Sequence, residues 1–213
     1  IYITDAGSAY TEGYIEISNN TMVSSSRAVE IEESTSNKLI MYNNLISGNS
    51  GNIINAKKSM KLYNNTFNYF VNFELADSSE IYNNIFSTPT SSLNGAAKFG
   101  YSSTTVIKSD HNNYFAPYNS TKICYALYNT GTQSYVINYL FTSVQQLRDT
   151  MHIDSNSVEF TPLFVSSIDL HSRSVNMRDK ATIVPFITAD IDGDSRLTSV
   201  PDIGADEITM TFG

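Results

Sequence analysis

Three aspartates near the C-terminus, Asp190, Asp192 and Asp194, alternate along Asp190-Ile191-Asp192-Gly193-Asp194-Ser195-Arg196. Carboxylates at positions one, three and five open a calcium loop, because hard oxygen ligands at that spacing can wrap one dication. The rest of such a loop is missing: Ser195 stands where glycine is wanted, and Pro201 where a bidentate glutamate is wanted. Three close carboxylates repel and call for a cation, and Arg196 can supply that charge internally. Two readings stand, calcium on Asp190, Asp192 and Asp194 or an Arg196-pinned structural turn. Asp202, Asp206 and Glu207 are the nearest further partners in both.

Tyr42, Tyr63 and Tyr82 point to a different chemistry. Each precedes an Asn-Asn pair, so repeating strands would aim them outward in a column about one strand spacing apart. An exposed tyrosine offers an apolar face plus a hydroxyl, which suits a flat sugar ring, and the same column can instead stabilise the surface by ring stacking. His111 occupies the matching position in a fifth copy and would extend the column. Glu30, Glu32, Glu33, Glu74 and Asp77 can gather over one strand face, as paired carboxylates do for acid–base work. No Lys or Arg recurs at matching positions, however, and His111, His152 and His171 lie in unrelated contexts. Neither a nucleophile elbow nor a Gly-rich phosphate loop occurs. No catalytic residue is assigned.

The elements that must position these groups come from a repeat. Asn19-Asn20, Asn43-Asn44, Asn64-Asn65, Asn83-Asn84 and Asn112-Asn113 have first members 24, 21, 19 and 29 residues apart. Apolar residues stand four and two places before each of the first four pairs, as in Leu39 and Met41, except for Ser79. Three places after the first Asn come Met22, Ile46, Phe67, Phe86 and Phe115. Period two is the strand period, and repeats near 20 residues fit a β-solenoid with two or three short strands per coil. Second strands follow at Val29 and Ile31, at Ile53 or Ile54, and at Val71, Phe73 and Leu75. Asn tolerates the left-handed corner conformation, and one Asn of each pair, which one being open, can form an internal amide ladder. In the fifth copy Lys108 and Asp110 fall on the formerly apolar positions, which reads either as a slip of register or, in preference, as the regular helix ending there.

With 213 residues and 41% apolar content the chain can bury a core. A net charge of −8 argues against nucleic acid, and the Lys57, Lys58, Lys61 group reads as a solvated coil edge. Cys124 permits no internal disulfide and reads as a buried small hydrophobe. No membrane-length apolar run is present. Ile1-Tyr2-Ile3 opens directly in a strand pattern; a bare solenoid end is an open sheet edge, so further N-terminal coils are expected. Past Thr121 the repeat disappears. Phe141 to Arg148 reads as a short helix with Thr142 or Ser143 as N-cap, followed by Asp154-Ser155-Asn156-Ser157 and Thr161-Pro162-Leu163-Phe164-Val165.

These last stretches, the Asn-Asn motif and the terminal Asp190-x-Asp192-Gly193-Asp194-x-Arg196 with Asp202-Ile203-Gly204-Ala205-x-Glu207 carry a family resemblance. The chain resembles the secreted right-handed parallel β-helix proteins of Bacteroidetes and related bacteria, of the choice-of-anchor Q or polysaccharide-lyase-like kind. Ser174-Val175-Asn176-Met177-Arg178-Asp179 departs from that pattern. The resemblance implies an extracellular or cell-surface location. The expectation is an all-β, right-handed parallel β-helix of about five coils over 1–118, then an irregular cap with one short helix over 119–213. Handedness rests on the resemblance and on the rule for parallel crossovers. The function expected is a non-catalytic stalk, adhesin or polysaccharide-contact surface, with no cofactor beyond the calcium reading and no membrane insertion. The alternative is part of a polysaccharide lyase or glycoside hydrolase.

Overall fold

Alternation by two becomes extended strand at every copy of the Asn-Asn repeat. A computed structural model describes residues 2–3, 14–25, 27–31, 38–48, 54–75, 78–89, 95–101, 107–129, 134–196 and 200–209. Their strands form three sheets that the chain visits in rotation. Sheet A holds Tyr2–Ile3, Val29–Ile31, Ile54–Lys58, Val71–Leu75, Ala97–Tyr101, Ile123–Asn129 and Ser134–Phe141. Sheet B holds Tyr14–Ser18, Lys38–Tyr42, Met60–Tyr63, Ser79–Tyr82 and Ile107–Asp110, and sheet C holds Thr21–Ser24, Leu45–Gly48, Thr66–Asn68, Ile85–Ser87 and Asn113–Phe115. Neighbours pair in parallel throughout, except that Ser134–Phe141 folds back antiparallel on Ile123–Asn129. The protein is an all-β parallel solenoid with three strands per coil. Sheet A extends through the first part of the segment read as cap.

Inward side chains stack coil on coil. Leu39, Met41, Met60, Leu62 and Ile81 of sheet B are fully buried. From sheet C, Phe67, Phe86 and Tyr114 stack with centroids 5.3 and 5.2 Å apart. From sheet A, Phe73 and Phe99 stack at 6.0 Å, and Tyr125 continues the row at 5.2 Å. These separations approach the spacing between parallel strands, so the ladder itself sets the ring stacking.

The two asparagines of each pair divide the corner between them. Asn19, Asn43, Asn64 and Asn83 take φ between 51° and 62°, the left-handed conformation that Asn adopts at little cost. The second asparagine turns inward and forms the ladder. Asn44 Nδ2 donates to Asn65 Oδ1 at 2.8 Å, Asn65 Nδ2 to Asn84 Oδ1 at 3.0 Å, and Asn84 Nδ2 to Asn112 Oδ1 at 3.1 Å. The same amides also donate to backbone carbonyls of the preceding coil: Asn65 to Met41 at 2.9 Å and Asn84 to Leu62 at 2.9 Å. Buried corner carbonyls are thereby satisfied without water.

The fifth copy corrects the sequence reading. Ile107 pairs with Ser79, Ser109 with Ile81 and Asp110 with Tyr82, while Asn113 pairs with Ile85 beyond the corner. Ile107 and Ser109 therefore hold the inward positions, not Lys108 and Asp110. His111 takes the left-handed corner at φ 56°, and Asn112 is the ladder residue. Tyr114 fills the place expected of Phe115. A slip of one residue exchanges every inward for an outward side chain; the Asn-Asn motif is offset by one residue here, the slip alternative, and the coil continues where termination was expected.

The end of the core is closed by the helix Val144–Met151. Ser143 is its N-cap, accepting from Gln146 N, and His152 is its left-handed C-cap. Val144 and Leu147 join Phe141 in the main core. Residues 154–196 and 200–209 then run back along the outer face of sheet C as a strap. Ile85 packs with Met177, Ala181, Ile203 and Ile208, and Leu45 with Leu170 and Ala205. Cover on both faces explains why the strands Thr66–Asn68 and Ile85–Ser87 are buried at every residue.

Candidate functional site

The outward positions of sheet B bring Tyr42, Tyr63 and Tyr82 into register, since Tyr42 pairs with Tyr63 and Tyr63 with Tyr82. Tyr63 and Tyr82 stack at 6.3 Å. The column is not open, however. Phe186 of the strap meets Tyr42 edge-on at 5.8 Å and Tyr63 at 5.6 Å, leaving Tyr63 only 4% exposed while Phe186 itself is 55% exposed. Tyr42 and Tyr82 remain half-buried. The Tyr42 hydroxyl donates to Glu16 at 2.7 Å, and that of Tyr63 donates to Glu80. Burial together with the Glu80 carboxylate raises the Tyr63 phenol well above its ordinary range. His111 does not extend the column: Asp110 occupies the tyrosine position, and His111 Nδ1 contacts the Lys180 carbonyl at 2.7 Å.

Between sheet B and the strap lies an open groove of about 460 Å³. Lys61, Tyr63, Glu80 and Tyr82 form one wall, and Thr182, Ile183, Val184, Pro185 and Phe186 the other. A second hollow of about 440 Å³ continues past Phe186 between Tyr42 and residues Ile187 to Gly193. The strap is held over these corners by the first asparagines, with Asn43 Nδ2 donating to the Ala189 carbonyl at 2.8 Å and Asn83 Nδ2 to that of Thr182 at 2.7 Å. Thr182 N–H returns a bond to Asn83 Oδ1 at 2.9 Å.

The terminal aspartates organise a turn. Asp190 is buried, and its Oδ1 accepts from Asp192 N at 2.9 Å and Asp194 N at 2.8 Å, while Oδ2 accepts from Glu207 N at 2.8 Å. Arg196, also buried, pairs with Glu207 and donates to the carbonyls of Asp202 at 3.3 Å and Gly204 at 2.9 Å. Burial pushes the Glu207 carboxyl up to about 7 against the pull of Arg196. Asp190 thus gathers three backbone amides, while Arg196 ties the turn to Glu207 and to two carbonyls.

No family model, curated protein or solved structure matches this chain.

A constellation that the sequence reading missed lies beside that turn. His171, Asp192 and Asp206 place one ligand atom each within 4.8 Å of one another. His171 Nε2 stands 3.2 Å from Asp192 Oδ2, and Nδ1 is 2.5 Å from Asp169 Oδ1. Burial works against the charged imidazole, but the Asp169 bond and the charges of Asp206 and Asp192 leave its pKa raised. Burial also pushes the Asp206 carboxyl up to about 7, with His171 opposing and Asp190 and Asp192 adding to the effect. The local signal was Asp169-Leu170-His171; its other two members arrive only through the strap.

Among the described residues the remaining candidates do not converge. Glu30 pairs in register with Asn55 and Glu74 with Lys57, so a strand separates them in sheet A. Glu30 forms an ion pair with Arg27. Glu32, Glu33 and Asp77 lie outside the described residues. Cys124 is buried, and burial pushes its thiol up to about 11, as suits a small hydrophobe. Among the described residues no helix is long and apolar enough to cross a membrane.

Proposed function

We propose that this protein is a non-catalytic β-solenoid segment of a secreted or cell-surface protein, and that it presents the groove between sheet B and the strap to a polysaccharide. The observation that carries this reading is the groove's lining. Phe186 on the strap wall and Tyr82 on the sheet B wall offer rings, while Glu80 and Lys61 beside Tyr82 offer an acceptor and a donor for sugar hydroxyls. Aromatic faces flanked by a few polar groups suit a flat polyhydroxylated ring. The extended, repetitive surface suits a long polymer, and the resemblance to secreted parallel β-helix proteins supports the location.

The test is a glycan-array screen followed by titration of the best polysaccharide. Tyr63 is covered by Phe186, so the informative variants are Phe186→Ala and Tyr82→Ala. Each is expected to weaken binding by about tenfold, roughly 1.4 kcal/mol, with the fold intact by circular dichroism. Binding that ignores both substitutions, or no binding to any glycan, overturns the proposal.

A further inference from the structure

We propose that His171, Asp192 and Asp206 form a binding site for a divalent transition-metal ion of the zinc class, built into the strap. This goes beyond the polysaccharide reading and does not depend on it. The three donors sit within 4.8 Å of one another, so bonds of about 2.0–2.2 Å to a shared ion need only a small contraction. His171 Nε2 is itself buried and has no hydrogen-bond partner, although Asp192 Oδ2 stands 3.2 Å away. Asp169 accepts at Nδ1, 2.5 Å off, so in the neutral imidazole the proton sits there and the Nε2 lone pair is presented toward Asp192. A carboxylate behind a histidine is the arrangement that orients a metal ligand and raises its basicity. The carboxylates favour a positive charge at Nε2, and a metal ion that replaces the Nε2 proton supplies that charge while binding the carboxylates directly.

The donor set selects the metal. An imidazole nitrogen with carboxylate oxygens suits zinc and its neighbours, whereas calcium and magnesium favour oxygen alone. Three protein donors leave a coordination position for water. The ligands come from three separate passes of the strap: the segment bridging Phe164 to Ser172, the turn after Asp190, and the terminal Ala205-Asp206-Glu207. A bound ion would cross-link them. It would also compete with the calcium reading, since Asp192 is shared between the two sites.

Isothermal titration of chelator-treated protein with zinc chloride at neutral pH, and separately with calcium chloride, decides the matter. One zinc ion per chain is expected, with His171→Ala and Asp206→Asn each losing at least about tenfold in affinity. Asp194→Asn should bind as the parent does, and calcium should not compete. Zinc should also raise the melting temperature of the parent and not of the two ligand variants. Should His171→Ala fail to fold, the near-isosteric Asp206→Asn decides alone. No zinc binding, as when a protonated His171 alone bridges the carboxylates, overturns the site. So does binding that survives both ligand substitutions, falls equally with Asp194→Asn, or prefers calcium.

Discussion

Asp154 ends the asparagine ladder with a carboxyl cut off from water. Its Oδ1 accepts from Ser157 Oγ at 2.5 Å and Asn112 Nδ2 at 3.2 Å, while buried Oδ2 has no partner. Burial dominates and raises its pKa; the Ser157 and Asn112 bonds oppose. The unfolded chain therefore releases this proton first, and stability falls as pH rises from the ordinary aspartate range toward the raised folded value. Asp154→Asn keeps the accepting oxygen and removes the titration. Urea unfolding across pH should show the variant gaining on the parent as pH rises, with the two converging in acid. A constant difference at all pH values would contradict this assignment.

Corners, more than strands, decide how these elements stack. Each ladder asparagine serves two coils, so an interior rung is worth more than a terminal one. Asn84→Ala leaves the Asn65 N–H, which donates to Asn84 Oδ1 at 3.0 Å, and the Leu62 carbonyl without their partners. The cost should be about 2–6 kcal/mol, at ~1–3 kcal/mol for each of the two buried groups left unpaired. Asn20→Ala, at a half-buried edge rung, should cost less than half as much. Denaturant midpoints of the two variants measure the ratio, and equal losses would mean that the ladder carries no cooperative weight.

On the scale of the whole molecule, the strap is the decisive addition. It covers sheet C, closes one side of the Tyr82–Phe186 groove and carries the His171 cluster. Its own anchor is Arg196, 3% exposed, paired with Glu207. Arg196→Ala leaves Glu207 facing a void and should cost about 3–5 kcal/mol in urea unfolding, whereas the double change Arg196→Met with Glu207→Leu should cost less. A double variant as unstable as the single one would show that the arginine's bonds to the Asp202 and Gly204 carbonyls, not the ion pair, hold the strap.

The sequence by itself determined the solenoid, the corners and the helix near Ser143. Strand alternation and the left-handed tolerance of Asn are nearest-neighbour stereochemistry, written wherever Ile-x-Ile or Asn-Asn occurs. Which asparagine turns inward, and the register at His111, were decided by pairing with the coil below, because a one-residue slip changes the face without changing the pattern. The cover over Tyr63 and the meeting of His171 with Asp192 and Asp206 belong to tertiary structure alone. The strap's docking bonds join residues as far apart as Asn43 and Ala189, 146 positions along the chain, and local periodicity carries no information at that distance.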